Sequence, residues 1–365
     1  MGEKKKSVWG FISGLLLLIV IGLVSLYLSE LFKKVVHVEW IKAILGANVI
    51  IAIVIGMLIN NLLIERIKGL ADFLAPGLEA YEFLLKLGIV FLGARILISD
   101  LLKLGGLGLG MVVVEILFSI FFVTLIARLF KLDERIGSLL SVGVGICGVS
   151  AIIGTTGAIN AKREEANYAI AVILIFGAAA MIVYPLIGAL LHMNQSLFGV
   201  WAGLAVDNTA EAIATGQLYD QVKSASGALE AATITKMCRN ALMGFVILGF
   251  AIYYASKGMA KQIDHKGKFL WQKFPKFVLG FVLFAVLASV GVFGGQKSAM
   301  LASIKSLEGW AFLFTFAGVG LRTRFSDMAK TGWKPFVVGI AAETSVALVT
   351  LVMVLLLGGL LALKT

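Results

Sequence analysis

Apolar runs recur about every 30 residues along this 365-residue chain, separated by short polar stretches. Eleven segments can be drawn, at 8–29, 40–61, 79–99, 107–129, 135–160, 166–191, 196–218, 228–255, 275–294, 307–322 and 335–362. A helix needs about 20 apolar residues to cross the hydrocarbon core of a bilayer. The pattern therefore predicts an all-α, polytopic membrane helix bundle. The longest hydrophilic stretch, Lys257 to Lys276, is too short for a separate module, so residues 1–365 read as one transmembrane domain. The run Val8–Leu28 reads as a retained span, peripheral to the rest, and not as a signal peptide.

Two segments are interrupted by residues that disfavour helix. In Ser141-Val-Gly-Val-Gly-Ile-Cys-Gly-Val-Ser150, Gly143, Gly145 and Gly148 fall within six residues. Each glycine weakens helix by about 1 kcal/mol relative to alanine. A break within 143–150 would leave a helix start near Cys147, Gly148 and Ser150, whose free N–H groups and positive dipole end suit an anion. Thr155 and Thr156 follow. The second interruption lies within 203–210, where Asp207, Asn208 or Thr209 can cap a helix that starts near Ala210. Segments five and seven would run the same way across the membrane, so an inverted pair requires a re-entrant hairpin or a different repeat boundary.

Ionisable residues sit inside these spans, where a charge is costly and faces a cavity or a partner. Asp207 and Glu211 are four apart and share a helix face. They make a candidate H⁺ or Na⁺ site. Lys236 and Arg239, three apart, either bind an anionic substrate or neutralise the two acids. Glu115, Asn240 and Glu343 are further candidates for lining a cavity.

Composition supports a membrane setting: 60% of residues are apolar, and only 15% are charged. The net charge of +11 does not indicate nucleic acid, because the basic residues mostly lie between apolar segments. With the N-terminus inside, eleven full spans place 18 Lys and Arg inside and 11 outside, which favours a cytoplasmic N-terminus. Cys147 and Cys238 form neither a disulfide framework nor a metal-ligand pattern, and the three histidines lie at segment ends or in a loop. No catalytic motif appears, so neither an enzyme nor a cofactor is expected.

There is also an internal echo. Gly93–Gly105 aligns without gaps on Gly320–Gly332, with six of thirteen positions identical. The copies would point opposite ways, as in the inverted repeats of secondary transporters.

The motifs G-I-C-G-V-S-A-I, D-N-T-A-E-A-I-A-T-G, I-T-K-M-C-R-N and G-V-G-L-R-T-R-F-S-D resemble those of the YeiH-like (UPF0324) bacterial membrane proteins, a family whose members carry the name sulfate exporter. The resemblance runs from about residue 40 to the C-terminus. Cys147, Gly148 and Ala151 match its first motif, Ala210, Ala214 and Gly216 its second, and Lys236, Met237 and Arg239 its third. Asp207 stands where the family has histidine, Asn208 where it has an acid, and Glu211 where it has glutamine. The resemblance implies a location in the bacterial cytoplasmic membrane and export of a sulfate- or sulfonate-like anion.

The leading expectation is a secondary transporter of a small anion. Lys236, Arg239 and the helix start near Cys147, Gly148 and Ser150 would neutralise the substrate, with Asn208 and Thr209 beside it, and Asp207 and Glu211 would bind the coupling H⁺ or Na⁺. The alternatives are a cation/proton antiporter using Asp207 and Glu211, or a non-transporting receptor or scaffold. Partners would be the lipid bilayer, the small anion, H⁺ or Na⁺, and a second copy of the chain if the protein is a homodimer.

Overall fold

The computed structural model describes residues 8–36, 46–294, 298–324 and 333–358, with the backbone alone for Leu107. Among these residues the chain is all-α and contains no strand. The helices in order are α1 (Val8–Val35), α2 (Asn48–Ile59), α3 (Leu70–Leu78), α4 (Ala80–Leu92), α5 (Ile98–Leu129), α6 (Glu134–Val142), α7 (Val149–Ala158), α8 (Arg163–Leu190), α9 (Gln195–Ala205), α10 (Thr209–Lys223), α11 (Ala228–Ala241), α12 (Met243–Ser256), α13 (Lys266–Lys273), α14 (Phe277–Ser289), α15 (Ala299–Arg322) and α16 (Trp333–Leu357). Five stretches are long and apolar enough to cross a membrane: α1, α5, α8, α11 with α12, and α16. This is the polytopic bundle that the hydropathy pattern predicts. The apolar runs do not predict α3 or α13. Pro76 and Asp72 break the pattern in α3, and three lysines break it in α13.

The chain divides into two compact units. The described part of the first lies within Met1–Ile98, Gln221–Ala225 and Gly280–Ser326. Its helices meet through glycines. Gly14 of α1 packs on Gly77 of α3, where an added Cβ would come within 2.9 Å of the facing Cα, and Gly56 of α2 lies on the backbone of Gly320 in α15. Close glycine contacts are a common way to pack helices in lipid, where backbone proximity substitutes for a hydrophobic drive. Two ion pairs, Arg95–Glu308 at 2.9 Å and Arg322–Glu82 at 3.1 Å, tie α15 to the two ends of α4, the first just past its C-terminus and the second in its first turn. The first copy of the internal echo runs out of this unit into α5, and residues 325–332 of the second copy lie outside the described residues.

The described part of the second unit lies within Ser99–Asp220, Ser226–Leu279 and Asp327–Thr365, and it contains both interrupted segments. The first interruption is a π turn, Gly143–Cys147, that ends at Gly148. Gly148 has φ 64° and ψ −121°, a conformation that a residue with a Cβ avoids. The chain then folds back. A Cβ on Gly143 would lie 2.9 Å from Ile152 Cδ1, and α6 packs against α7. Residues 143 and 152 would be about 13 Å apart along one straight helix, so the chain turns back here as a helical hairpin. Far from its tip, Leu139, Leu140 and Ile159 join one apolar cluster with Ala127 and Tyr254.

The second interruption is also a hairpin. Val206 is extended (φ −88°, ψ 127°), and Asn208 Oδ1 accepts from the N–H of Ala210 at 2.9 Å, starting α10. Phe198 near the start of α9 stacks on Tyr219 near the end of α10, with ring centroids 3.8 Å apart and planes within 13°. The Tyr219 hydroxyl donates to the carbonyl of Met193, which fixes both arms at their open end.

The 28-residue α8 joins the open end of the first hairpin to the open end of the second and is about 40 Å long. The two hairpins therefore enter from opposite ends of α8. Each is followed by one long span, α8 after the first and α11–α12 after the second. This hairpin-and-span order occurs twice in opposite senses, and it resolves the parity of segments five and seven because both fold back.

Candidate functional site

The hairpin tips meet. A Cβ on Gly148 would lie 3.2 Å from Asn208 Cα, so the starts of α7 and α10 converge. Around this junction lie six ionisable side chains, none more than 5% exposed: Glu115 of α5, Asp207 between the hairpin arms, Glu211 of α10, Lys236 and Arg239 of α11, and Glu343 of α16. Glu115 and Glu343 both sit mid-helix.

Both cations reach backbone carbonyls, Lys236 one and Arg239 four. Lys236 Nζ donates to the carbonyl of Val206 at 2.6 Å. Arg239 donates through Nε to Gly145 (3.0 Å) and through Nη1 to Leu204 (2.8 Å) and Val206 (3.3 Å), and its Nη2 donates to Val144. Nη2 also reaches Glu115 Oε1 at 3.0 Å and lies 3.8 Å from Asp207 Oδ1. One guanidinium thus satisfies the carbonyls that both helix breaks leave without intrahelical partners. The planar fork of Arg239 is suited to spanning several acceptors at fixed angles. Ser119 completes this edge of the site by donating to Glu115 Oε1 at 2.7 Å.

The acids are differently placed. No N–H or hydroxyl donor lies within hydrogen-bond distance of the buried carboxylate oxygens of Asp207, Glu211 and Glu343, or of Glu115 Oε2. Asp207 and Glu343 are neighbours close enough to interact carboxyl to carboxyl. Glu211 rests against α8 at Gly177, where a Cβ would overlap its Oε2. Asn240 donates to the Thr209 hydroxyl at 3.2 Å, and its own Oδ1 is unpaired. Four carboxyls against two cations leave two negative charges to be balanced. A buried unpaired charge costs several kcal/mol.

The remaining candidates divide. Gly148, Asn208 and Thr209 are at the junction. Cys147 packs beside it, its Sγ 3.5 Å from Met243 Sδ. Ser150 is exposed on α7, away from the buried centre. Thr155 and Thr156 donate back to the carbonyls of Ala151 and Ile152 in their own helix. Sequence reasoning did not see that Glu343 adjoins Asp207 or that Glu115 pairs with Arg239. Their only signal was that each is a lone acid in an apolar span.

These features define a polytopic membrane protein built around two opposed helical hairpins and a buried charged centre. The chain belongs to the family described as Conserved hypothetical protein 698, whose model matches residues 13–339, and to which the UPF0324 resemblance pointed. It is 31% identical over 354 residues to a UPF0324 membrane protein of Nitratidesulfovibrio vulgaris, covering 94% of this chain and 92% of that one. A UPF0324 membrane protein of Streptococcus mutans is 30% identical over 349 residues, covering 95% and 97%. One from Streptococcus agalactiae is 30% identical over 318 residues, covering 86% and 91%. No solved structure matches.

Proposed function

We propose that this protein is a proton-coupled secondary transporter of a small anion, with its translocation site at the junction of the hairpin tips. One observation carries the reading. At that junction Arg239 is engaged by carbonyls and Glu115 and Lys236 by the carbonyl of Val206, while no donor lies within hydrogen-bond distance of the carboxylate oxygens of Asp207, Glu211 and Glu343. Such a site calls for protons or a cation. Two adjacent carboxyls such as Asp207 and Glu343 hold a shared proton more readily than two full charges.

Anion binding then falls to the converging starts of α7 and α10, where backbone N–H groups and helix dipoles favour negative charge. Discontinuous helices near mid-membrane are used in this way in secondary transporters. Lys236 and Arg239 hold the tips in place and do not themselves grip the anion. A sulfate- or sulfonate-like substrate is what the family resemblance suggests. The second reading, a cation/proton antiporter, draws on the same carboxylate oxygens.

The hairpins supply the two gates. Because they enter from opposite ends of α8, each screens the junction from a different membrane face. Opening one at a time gives alternating access. Folding the first hairpin back also moves Lys162 and Arg163 to the face that holds Arg128, Lys131, Arg135 and the Lys257–Lys276 stretch. The basic bias of that face grows, which favours a cytoplasmic location for it.

The test is flux in proteoliposomes with an internal pH dye and a panel of small oxyanions. An anion gradient should move protons, and Asp207→Asn should abolish the movement. If an anion gradient moves protons equally well in Asp207→Asn, the carboxyl centre has no coupling role. If protons exchange for Na⁺ with no permeant anion present, the antiporter reading replaces this one.

A further inference from the structure

The stretch from Lys257 to Lys276 carries six lysines against one aspartate, Asp264. It is not idle loop: it contains α13, which packs along α12 with Leu270 against Gly244. Lys273 reaches past it to donate to the carbonyl of Gly154 in α7, at 3.0 Å. One side of α13 is thereby fixed to the first hairpin.

The other side is open. Lys268 and Trp271, three apart, share the outward face, and Trp271 is 59% exposed. Lys276 lies 4.3 Å over the Trp271 ring and donates to the carbonyl of Phe274, holding the indole and closing the helix end. Lys261, Lys266 and Lys268 are exposed, and none takes part in an ion pair among the described residues.

We propose that α13 and its lysines form a docking surface for anionic phospholipid headgroups, attached through Lys273 to the arm that carries the Gly148 tip. The chemistry matches on three counts. Clustered unpaired ammonium groups attract an anionic membrane surface. Exposed tryptophan settles at headgroup level, its ring in the apolar edge and its N–H in water. Lysine stems lie along apolar surface while their charges reach outward. The proposal is independent of what the protein transports.

The experiment measures retention of phosphatidylglycerol against phosphatidylcholine by the purified full chain, together with its melting temperature in each lipid. Wild type should retain phosphatidylglycerol preferentially and melt higher in it. Each lysine near an anionic surface contributes about five-fold. The triple change Lys261→Gln, Lys266→Gln, Lys268→Gln should therefore weaken retention about a hundred-fold, with unchanged melting in phosphatidylcholine. The matching triple change to arginine should keep it. Undiminished retention in the glutamine variant would overturn the proposal. So would stabilisation by free inorganic phosphate equal to that by phosphatidylglycerol, which would indicate an anion site and not a membrane contact.

Discussion

Gly148 and Asn208 stand tip to tip, and the backbone of each is shaped for that meeting: a positive φ at Gly148, and a cap at Asn208 that starts the next helix. Gly148→Ala would add a Cβ 3.0 Å from Ile173 and 3.2 Å from Asn208 while imposing the wrong φ. A residue held in such a conformation costs about 1–3 kcal/mol. Thermal unfolding in detergent should show a loss of that order, and transport should fall with it. Wild-type behaviour in both would mean that the tips do not meet as described.

Arg239 should prove structural in a way that Lys236 is not. Removing it strands carbonyls on both hairpins and leaves Glu115 without its cation. Breaking a buried pair by deleting one partner costs about 3–5 kcal/mol. Arg239→Ala should thus lose folded protein. Lys236→Met, which forfeits a single carbonyl contact, should stay folded. The readout is the yield of monodisperse protein and its melting temperature. A fully stable Arg239→Ala variant would return this residue to the substrate-binding role that its type first suggests.

Gly177 and Glu211 provide a paired test. Since a Cβ at 177 overlaps Glu211 Oε2, Gly177→Ala alone should destabilise the fold and displace the carboxylate. Adding Glu211→Ala removes the overlap, so the double variant should melt higher than Gly177→Ala. Side chains in contact are non-additive in this way by about 0.5–3 kcal/mol. Strict additivity would show that the two residues do not touch.

At the polar edge of the second unit, Glu134 accepts from Lys257 Nζ at 2.6 Å and from the Tyr253 hydroxyl at 2.7 Å. The lysine contact, then the tyrosine, holds the Glu134 carboxyl below its ordinary value of 4.5, and the same contact holds Lys257 above its own. A carboxyl lowered in the folded state stabilises above its unfolded pKa, and that contribution fades as pH falls through the folded value. Glu134→Gln should therefore melt below wild type at neutral pH, and the gap should close as pH falls through the lowered carboxyl pKa of the folded state. A gap that persists in acid would assign the loss to packing.

Much of the fold was legible because lipid imposes a coarse rule of length and apolarity. Both helix breaks were legible because glycine and capping residues disfavour continued helix wherever they stand. That the breaks fold back was not. It depends on contacts such as Phe198 on Tyr219 and Gly143 on Ile152, between residues whose types alone do not predict pairing. The site divided in the same way. Asp207, Glu211, Lys236 and Arg239 announced themselves as charges in apolar runs, and all four are buried together. Their partners did not: the cations chose backbone carbonyls, which no side-chain pattern reveals, and Asp207 drew Glu343 from a helix more than a hundred residues away. Ser150 looked equivalent to Gly148 in sequence, yet it lies on the outer face of α7 because the chain turns at Gly148.

The central claim is that the buried carboxyls at the hairpin junction carry protons across the membrane. Its most direct test is proton movement in proteoliposomes driven by an imposed gradient of a small permeant oxyanion, with wild type compared with Asp207→Asn and Glu343→Gln, each first shown to be folded. Proton flux in wild type that disappears in both variants is the predicted result. Equal flux in all three, or none in any under every gradient tried, would contradict it.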